Sequence, residues 1–211
     1  MNTASPFFLF LSPTTSPAVL YNFSLGWLYY MGEEELDRTS VERCLKGELD
    51  AFAGLIERYE KPVFNAIFHL VKNHEDAREL CQQVFMKVFE RLASYDPERK
   101  FFSWIYRIAM NESINYMKAR HEWEPLSETI AEPRANPAET YESAETTRDV
   151  QAAVLALDVK YRAVVILRHF LDLSYRDAAE VLNLPEKTVK SRLFAARQLL
   201  RDQLEAKGEA S

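Results

Sequence analysis

Apolar residues recur at helical spacing through most of the chain. Phe52, Leu55, Ile56 and Tyr59 predict an amphipathic helix over 50–59, and Pro62 reads as the first-turn residue of a second, running through Phe64, Ile67, Phe68 and Val71. Asn73-His-Glu-Asp opens a third helix with acids where its dipole favours them, and Ala77, Leu80, Cys81, Val84, Val88 and Leu92 form its core stripe. A fourth is expected from Phe101 to Arg120, with Phe101, Phe102, Ile105, Ile108, Ala109 and Tyr116 inward; Glu112 falls on that stripe against the pattern. Periodicity is lost from Glu122 to Glu145 and resumes near Thr146, with Val150, Val154 and Leu157 in register and a dense apolar run from Tyr161 to Phe170.

From Leu173 to Leu204 the chain reads as two helices broken at Asn183-Leu184-Pro185. Proline cannot continue a helix, and asparagine tolerates the left-handed conformation that ends one. Ser174 suits the N-cap of the first, with Asp177 as an acidic variant of the capping box; Val189, Leu193, Ala196 and Leu200 line the buried side of the second. The pattern predicts an all-α protein of two small helical domains joined by an acidic linker, the C-terminal one a helix-turn-helix. The expected divisions are 1–32, 33–121, 122–145 and 146–211.

Composition narrows the picture. Of 211 residues, 47% are hydrophobic and 27% charged, and only 5 are glycine. Residues 1–32 carry no charged side chain, and their apolar pieces are too short or too broken to span a bilayer. That segment reads as translated sequence upstream of a start at Met31, with a membrane-associating tail as the alternative. Cys44 and Cys81 lie inside helical patterns without metal-ligand spacing, as reduced core thiols of a cytoplasmic protein do. No metal-ligand spacing, Gly-rich phosphate loop or nucleophile motif is present, which argues against an enzyme and against any cofactor.

Local charge runs against the net value of −6. Between Pro185 and Arg201, Lys187, Lys190, Arg192, Arg197 and Arg201 face only Glu186 in sequence, a local excess of +4. The outer face carries Lys187, Lys190, Ser191, Phe194, Gln198 and Arg201, flanked by Arg192 and Arg197, the chemistry that a recognition helix presents to the major groove. Arg99 to His121 repeats the excess, with Arg99, Lys100, Arg107, Lys118 and Arg120 against Glu112. Its outer face aligns Lys100, Ser103, Arg107, Asn111, Asn115 and Lys118 beside Trp104, a mixture suited to a single strand with stacked bases. A solvated helix face or a small aromatic roof over the core would look the same.

Three runs together resemble the extracytoplasmic-function group of bacterial RNA polymerase sigma factors: Asp76-Ala-Arg-Glu-Leu-Cys-Gln-Gln-Val-Phe-Met-Lys-Val-Phe, Phe102-Ser-Trp-Ile-Tyr-Arg-Ile-Ala-Met-Asn, and the block from Leu173 through Val189-Lys-Ser-Arg-Leu. The resemblance spans nearly all of 40–204 in the family's order. It implies a factor that binds core RNA polymerase and directs promoter recognition and initiation, with 33–121 as a region 2-like and 146–211 as a region 4-like domain. It assigns Asp76, Glu79, Gln82, Gln83, Met86 and Lys87 to the polymerase. Lys100, Ser103, Trp104, Arg107, Asn111, Asn115 and Lys118 go to the −10 element. Lys187, Thr188, Lys190, Ser191, Arg192, Phe194 and Arg197 go to the −35 element. Ala195 stands where members often carry a basic residue, and Asn183 replaces the more usual turn glycine. The linker is expected to follow the polymerase's basic cleft, with a soluble tether as the alternative. The resemblance leaves room for an anti-sigma partner. The competing reading is a stand-alone helix-turn-helix regulator, distinguished by whether tight promoter binding needs core polymerase.

Overall fold

The computed structural model describes residues 34–123 and 150–208, and every regular element among them is helical. The expectations for 1–32 and for most of the linker lie outside the described residues. In chain order the elements are α1 (Glu34–Leu45), α2 (Leu49–Val71), α3 (His74–Arg91), a 3-10 turn (Leu92–Ser94), α4 (Phe101–Trp123), helical residues 150–156, α5 (Val159–Val165), a π-turn (Ile166–Phe170), α6 (Tyr175–Leu182) and α7 (Glu186–Gly208). The fourth helix continues through Trp123, past the expected start of the linker.

Caps fix most boundaries. Asn73 opens α3 by accepting from the amides of Glu75 and Asp76, and Asp158 opens α5 by accepting from that of Lys160. Lys72 ends α2 in the left-handed region at φ 59°, its amide donating to the carbonyl of Phe68 at 2.8 Å. Between α1 and α2 the chain turns at Gly47, whose φ of +92° only glycine adopts cheaply.

Pro62 does not begin a helix: it sits inside α2, which runs unbroken from Leu49 to Val71. Tertiary burial accounts for the difference. Leu55, Tyr59, Val63, Ala66, Ile67 and Leu70 form one fully buried stripe on both sides of the proline. An interior proline costs about 3 kcal/mol, whereas each large buried side chain contributes roughly 1.5–3 kcal/mol. Keeping the stripe straight wins.

The first block packs α1, α2, α3 and α4 around these residues, with Asp37 of α1 buried and accepting from Arg58 and from the hydroxyl of Tyr59. The second block packs α5, α6 and α7 around Val164, Ile166, Leu167, Leu193 and Leu200. Buried residues of both blocks form a continuous hydrophobic cluster. The junction is α4, which packs on α1, α2 and α3 and also on α5 and α6. Hence Ser103, Tyr106, Met110 and Ser113 are buried along with its expected stripe, of which Tyr116 is only partly covered.

Candidate nucleic-acid and polymerase interface

The second block holds a helix-turn-helix whose turn is specified locally. The Ser174 hydroxyl donates to Asp177 Oδ2 at 2.6 Å and accepts from the Asp177 amide at 3.0 Å, closing the expected capping box. Asn183 takes φ 51° and ψ 48°, and α7 starts after Pro185, whose carbonyl accepts from the amides of Thr188 and Val189. Val189, Leu193, Ala196 and Leu200 are buried. Lys187, Lys190, Ser191 and Phe194 are therefore exposed, Phe194 by 65%, while Thr188, Arg192 and Arg197 lie half-buried on the flanks.

Lys190 is already engaged. Its ammonium lies 2.6 Å from Glu186 Oε1 and 5.4 Å from the centre of the Tyr175 ring, whose other cationic neighbour is Arg168 at 5.7 Å. The hydrogen bond to Glu186 raises its pKa above the ordinary lysine value. Arg197 approaches His169 Nε2 at 3.4 Å.

On α4 the basic face divides in two. Asn111, Asn115 and Lys118 are exposed. Toward the N-terminus the face is covered by α6: Lys100 lies 3.6 Å from Asp177 and 3.7 Å from Glu34, and Arg107 donates through Nε at 3.1 Å and Nη2 at 2.8 Å to the carbonyl of Glu180. Ser103, read from periodicity as outward, is 1% exposed, and its Oγ has no hydrogen-bond partner. Trp104 is half-buried, 5.5 Å from Tyr95 and 5.7 Å from Phe101 between ring centres.

The outer side of α3 is open, with Glu79, Gln82, Gln83 and Met86 exposed. Asp76 pairs with Arg120 at 3.0 Å, Gln83 donates to Glu79 at 3.2 Å, and Lys87 pairs with Glu112 at 2.5 Å. Beside them runs a feature the sequence reading missed, a groove of about 920 Å³ between α2 and α3 lined by Phe52, Ile56, Phe64, Phe85, Met86 and Phe89. Met86 is 64% and Phe89 50% exposed, and Phe89 meets Phe52 edge-on at 5.0 Å. The available signal was a second apolar line on α2, Phe52, Ile56 and Phe64, beside the core stripe. Cys81 also borders the groove, and burial pushes its thiol up to about 11, away from thiolate reactivity. Among the described residues no cluster of side chains could hold a metal ion.

Comparison with known proteins matches sigma-70 region 2 to residues 55–122 and sigma-70 region 4 to residues 147–200. The chain is 28% identical over 183 residues to the ECF RNA polymerase sigma factor SigW of Bacillus subtilis, covering 81% of this chain and 98% of that one. It is 30% identical over 187 residues to the ECF RNA polymerase sigma-E factor of Haemophilus influenzae, covering 83% and 98%. Among solved structures, CnrH in complex with the cytosolic domain of CnrY aligns with a TM-score of 0.61 at 25% identity, over 81% of this chain and 98% of that one. The fold is shared with RpoE of Bartonella quintana, solved with the anti-sigma factor NepR, at a TM-score of 0.60 and 23% identity, over 73% and 96%.

Proposed function

Since the chain belongs to the extracytoplasmic-function group of sigma factors, which bind core RNA polymerase and direct it to promoters, we propose that its three faces divide that work as follows. Residues 33–121 form the polymerase and −10 domain and 146–211 the −35 domain. Asp76, Glu79, Gln82, Gln83, Met86 and Lys87 meet the polymerase. Lys100, Ser103, Trp104, Arg107, Asn111, Asn115 and Lys118 hold the melted strand at the −10 element. Lys187, Thr188, Lys190, Ser191, Arg192, Phe194 and Arg197 hold the −35 duplex.

The observation that carries this reading is a pair of local +4 stretches, one within the region 2 match and one that ends a residue beyond the region 4 match, on a chain of net charge −6. Phosphates attract such patches whatever the sequence, and the exposed Phe194 at the centre of the α7 face supplies a group that reads thymine methyls. A stand-alone regulator leaves the region 2 match and the open face of α3 without a purpose. The protein acts as a dissociable subunit in the cytoplasm and catalyses no reaction itself. No helix among the described residues is long and apolar enough to cross a membrane. As for RpoE, a protein of the anti-sigma class is a fitting antagonist.

The test is reconstitution. Full-length protein mixed with bacterial core polymerase should form a stable complex and start transcripts from a subset of a promoter library, with core alone or protein alone inactive. Binding to the same promoters without polymerase, at equal affinity, would return the stand-alone regulator.

A further inference from the structure

The first turn of α7 carries a carboxylate on a face otherwise built of cations, and that carboxylate is not alone. A line of alternating charge runs around one ring. Asp172 pairs with Arg168 at 2.7 Å, Arg168 and Lys190 both lie over Tyr175, at 5.7 and 5.4 Å from its centre, and Lys190 reaches Glu186 Oε1 at 2.6 Å. The ring attracts both cations, and the carboxylate on each offsets their mutual repulsion. Lys190 is thereby drawn back over the turn that precedes it, and its ammonium sits beside the Glu186 carboxylate at the N-terminal end of the helix. In a helix-turn-helix this is the end whose side chains meet base edges.

Stability does not account for the pair. The Lys190 and Glu186 side chains are 55% and 45% exposed, and an ion pair so open to water adds little. An acid in the first turn suits the helix dipole, but the dipole needs neither Lys190 nor the ring. On a face that approaches phosphates a bare carboxylate is repelled, and here the ammonium neutralises it.

The spacing of the two heads matches one base pair. In the major groove a G·C pair presents guanine O6, an acceptor, beside cytosine N4, a donor, and those atoms are themselves a hydrogen bond of ~2.9 Å apart. Lys190 and Glu186 present a donor beside an acceptor at 2.6 Å. The ammonium has three N–H donors, so one stays on Glu186 while another reaches guanine O6 or N7; the carboxylate keeps lone pairs for the cytosine amino group. A T·A pair offers acceptor and donor in the same order but sets a methyl group where guanine has N7, and a pair turned end for end sets donor against donor. We propose that Glu186 is a further specificity-determining residue, which accepts from a cytosine amino group and reads, as one unit with Lys190, a single G·C pair of the −35 element.

This rests on the assignment of α7 to the −35 duplex, and the experiment keeps the two apart. Holoenzyme made from the full chain is bound to a library randomised over the −35 element, and base preference is read position by position for wild type, Glu186→Ala, Lys190→Ala and the double variant. Wild type should favour G·C at one position, and each single variant should reduce that preference ~10-fold there and leave the other positions as they were. The double variant should be no more relaxed than Lys190→Ala, because the two groups act together. Next, the cytosine of that pair is replaced by pyrimidin-2-one, which lacks the 4-amino group. Wild type should bind this duplex ~10-fold more weakly than the parent, and Glu186→Ala equally well to both. Unchanged preference in Glu186→Ala, relaxation at a position that Lys190→Ala leaves intact, or equal loss on the modified duplex with and without Glu186 overturns the proposal. If Lys190→Ala and Phe194→Ala also leave every position unchanged, it is the −35 assignment itself that fails.

Discussion

Lys87 on α3 pairs with Glu112 on α4 at 2.5 Å, which accounts for the one carboxylate that interrupts the apolar stripe of the fourth helix. The pair ties the proposed polymerase face of α3 to the partly covered side of α4. Lys87 is thus half a structural group, whereas Gln82 and Met86, one to five residues back, project freely.

Substitutions on α3 should separate docking from stability. Gln83→Glu with Met86→Glu is expected to weaken core polymerase binding at least ~10-fold with helicity unchanged, because neither side chain is buried. Lys87→Ala should instead cost up to ~1 kcal/mol of unfolding free energy, the range for a partly exposed ion pair. Urea titrations and competition for core polymerase measure the two effects.

At the turn of the helix-turn-helix, Asn183 at φ 51° predicts an asymmetric response. Asn183→Gly should lie within a few tenths of a kcal/mol of wild type, whereas Asn183→Ala should destabilise by ~1 kcal/mol, since Cβ makes the left-handed region costly. Ser174→Ala should lose ~1 kcal/mol with the cap. Chemical denaturation of the three variants checks the order.

Acid should loosen the contact between α2 and the π-turn, where the His69 ring lies 4.4 Å from that of Phe170. Burial, with Lys72 nearby, lowers the His69 pKa from 6.5 to about 4. The folded state therefore resists protonation that the unfolded chain accepts, so stability is full above pH 6.5 and falls as pH drops from there toward 4, by roughly 1–3 kcal/mol. His69→Gln should reduce that slope, the remainder coming from His169, whose pKa burial likewise lowers to about 4. A curve equally steep in the variant would remove His69 as its cause.

Positioning and reading should separate on α7. Arg197, on the flank, is expected to meet phosphate, so Arg197→Ala should reduce the salt slope of holoenzyme binding by about one unit without reordering promoters. Lys190→Ala or Phe194→Ala should cost roughly 1–3 kcal/mol at preferred sites and relax one position of the −35 element. Ranked binding to a randomised −35 library at two salt concentrations distinguishes them; an unchanged ranking for both variants means that another element reads the sequence.

What the sequence made legible follows the range of the physics. Caps and turns act over three or four residues, so Asn73, Ser174 and Asn183 could be placed from their neighbours alone. Stripes on helices with one buried side, such as Ala77 to Leu92 and Val189 to Leu200, were equally readable. Periodicity fails where a helix is enclosed from several directions. On α4 it took Ser103 and Arg107 for an open face because nothing local announces that α6 will lie over them. It also broke α2 at Pro62, where only burial on both sides shows that the helix continues. The apolar groove escaped for the opposite reason: Phe52 and Phe89 look like core residues and are half open.

Arg107 donates to the carbonyl of Glu180, 73 positions on, and Arg162 to the carbonyl of Leu70, 92 positions back, and those separations have a consequence in time. At ~5–20 residues per second, translation from Trp123 to Gly208 takes roughly 4–17 s. Once α4 has left the ribosome, and before α6 has, α1 to α4 can fold, since their mutual contacts are complete, while the carbonyl of Glu180 has yet to find its place. A nascent chain therefore displays the face of α4 that carries Lys100 and Arg107 before α6 is there to cover it.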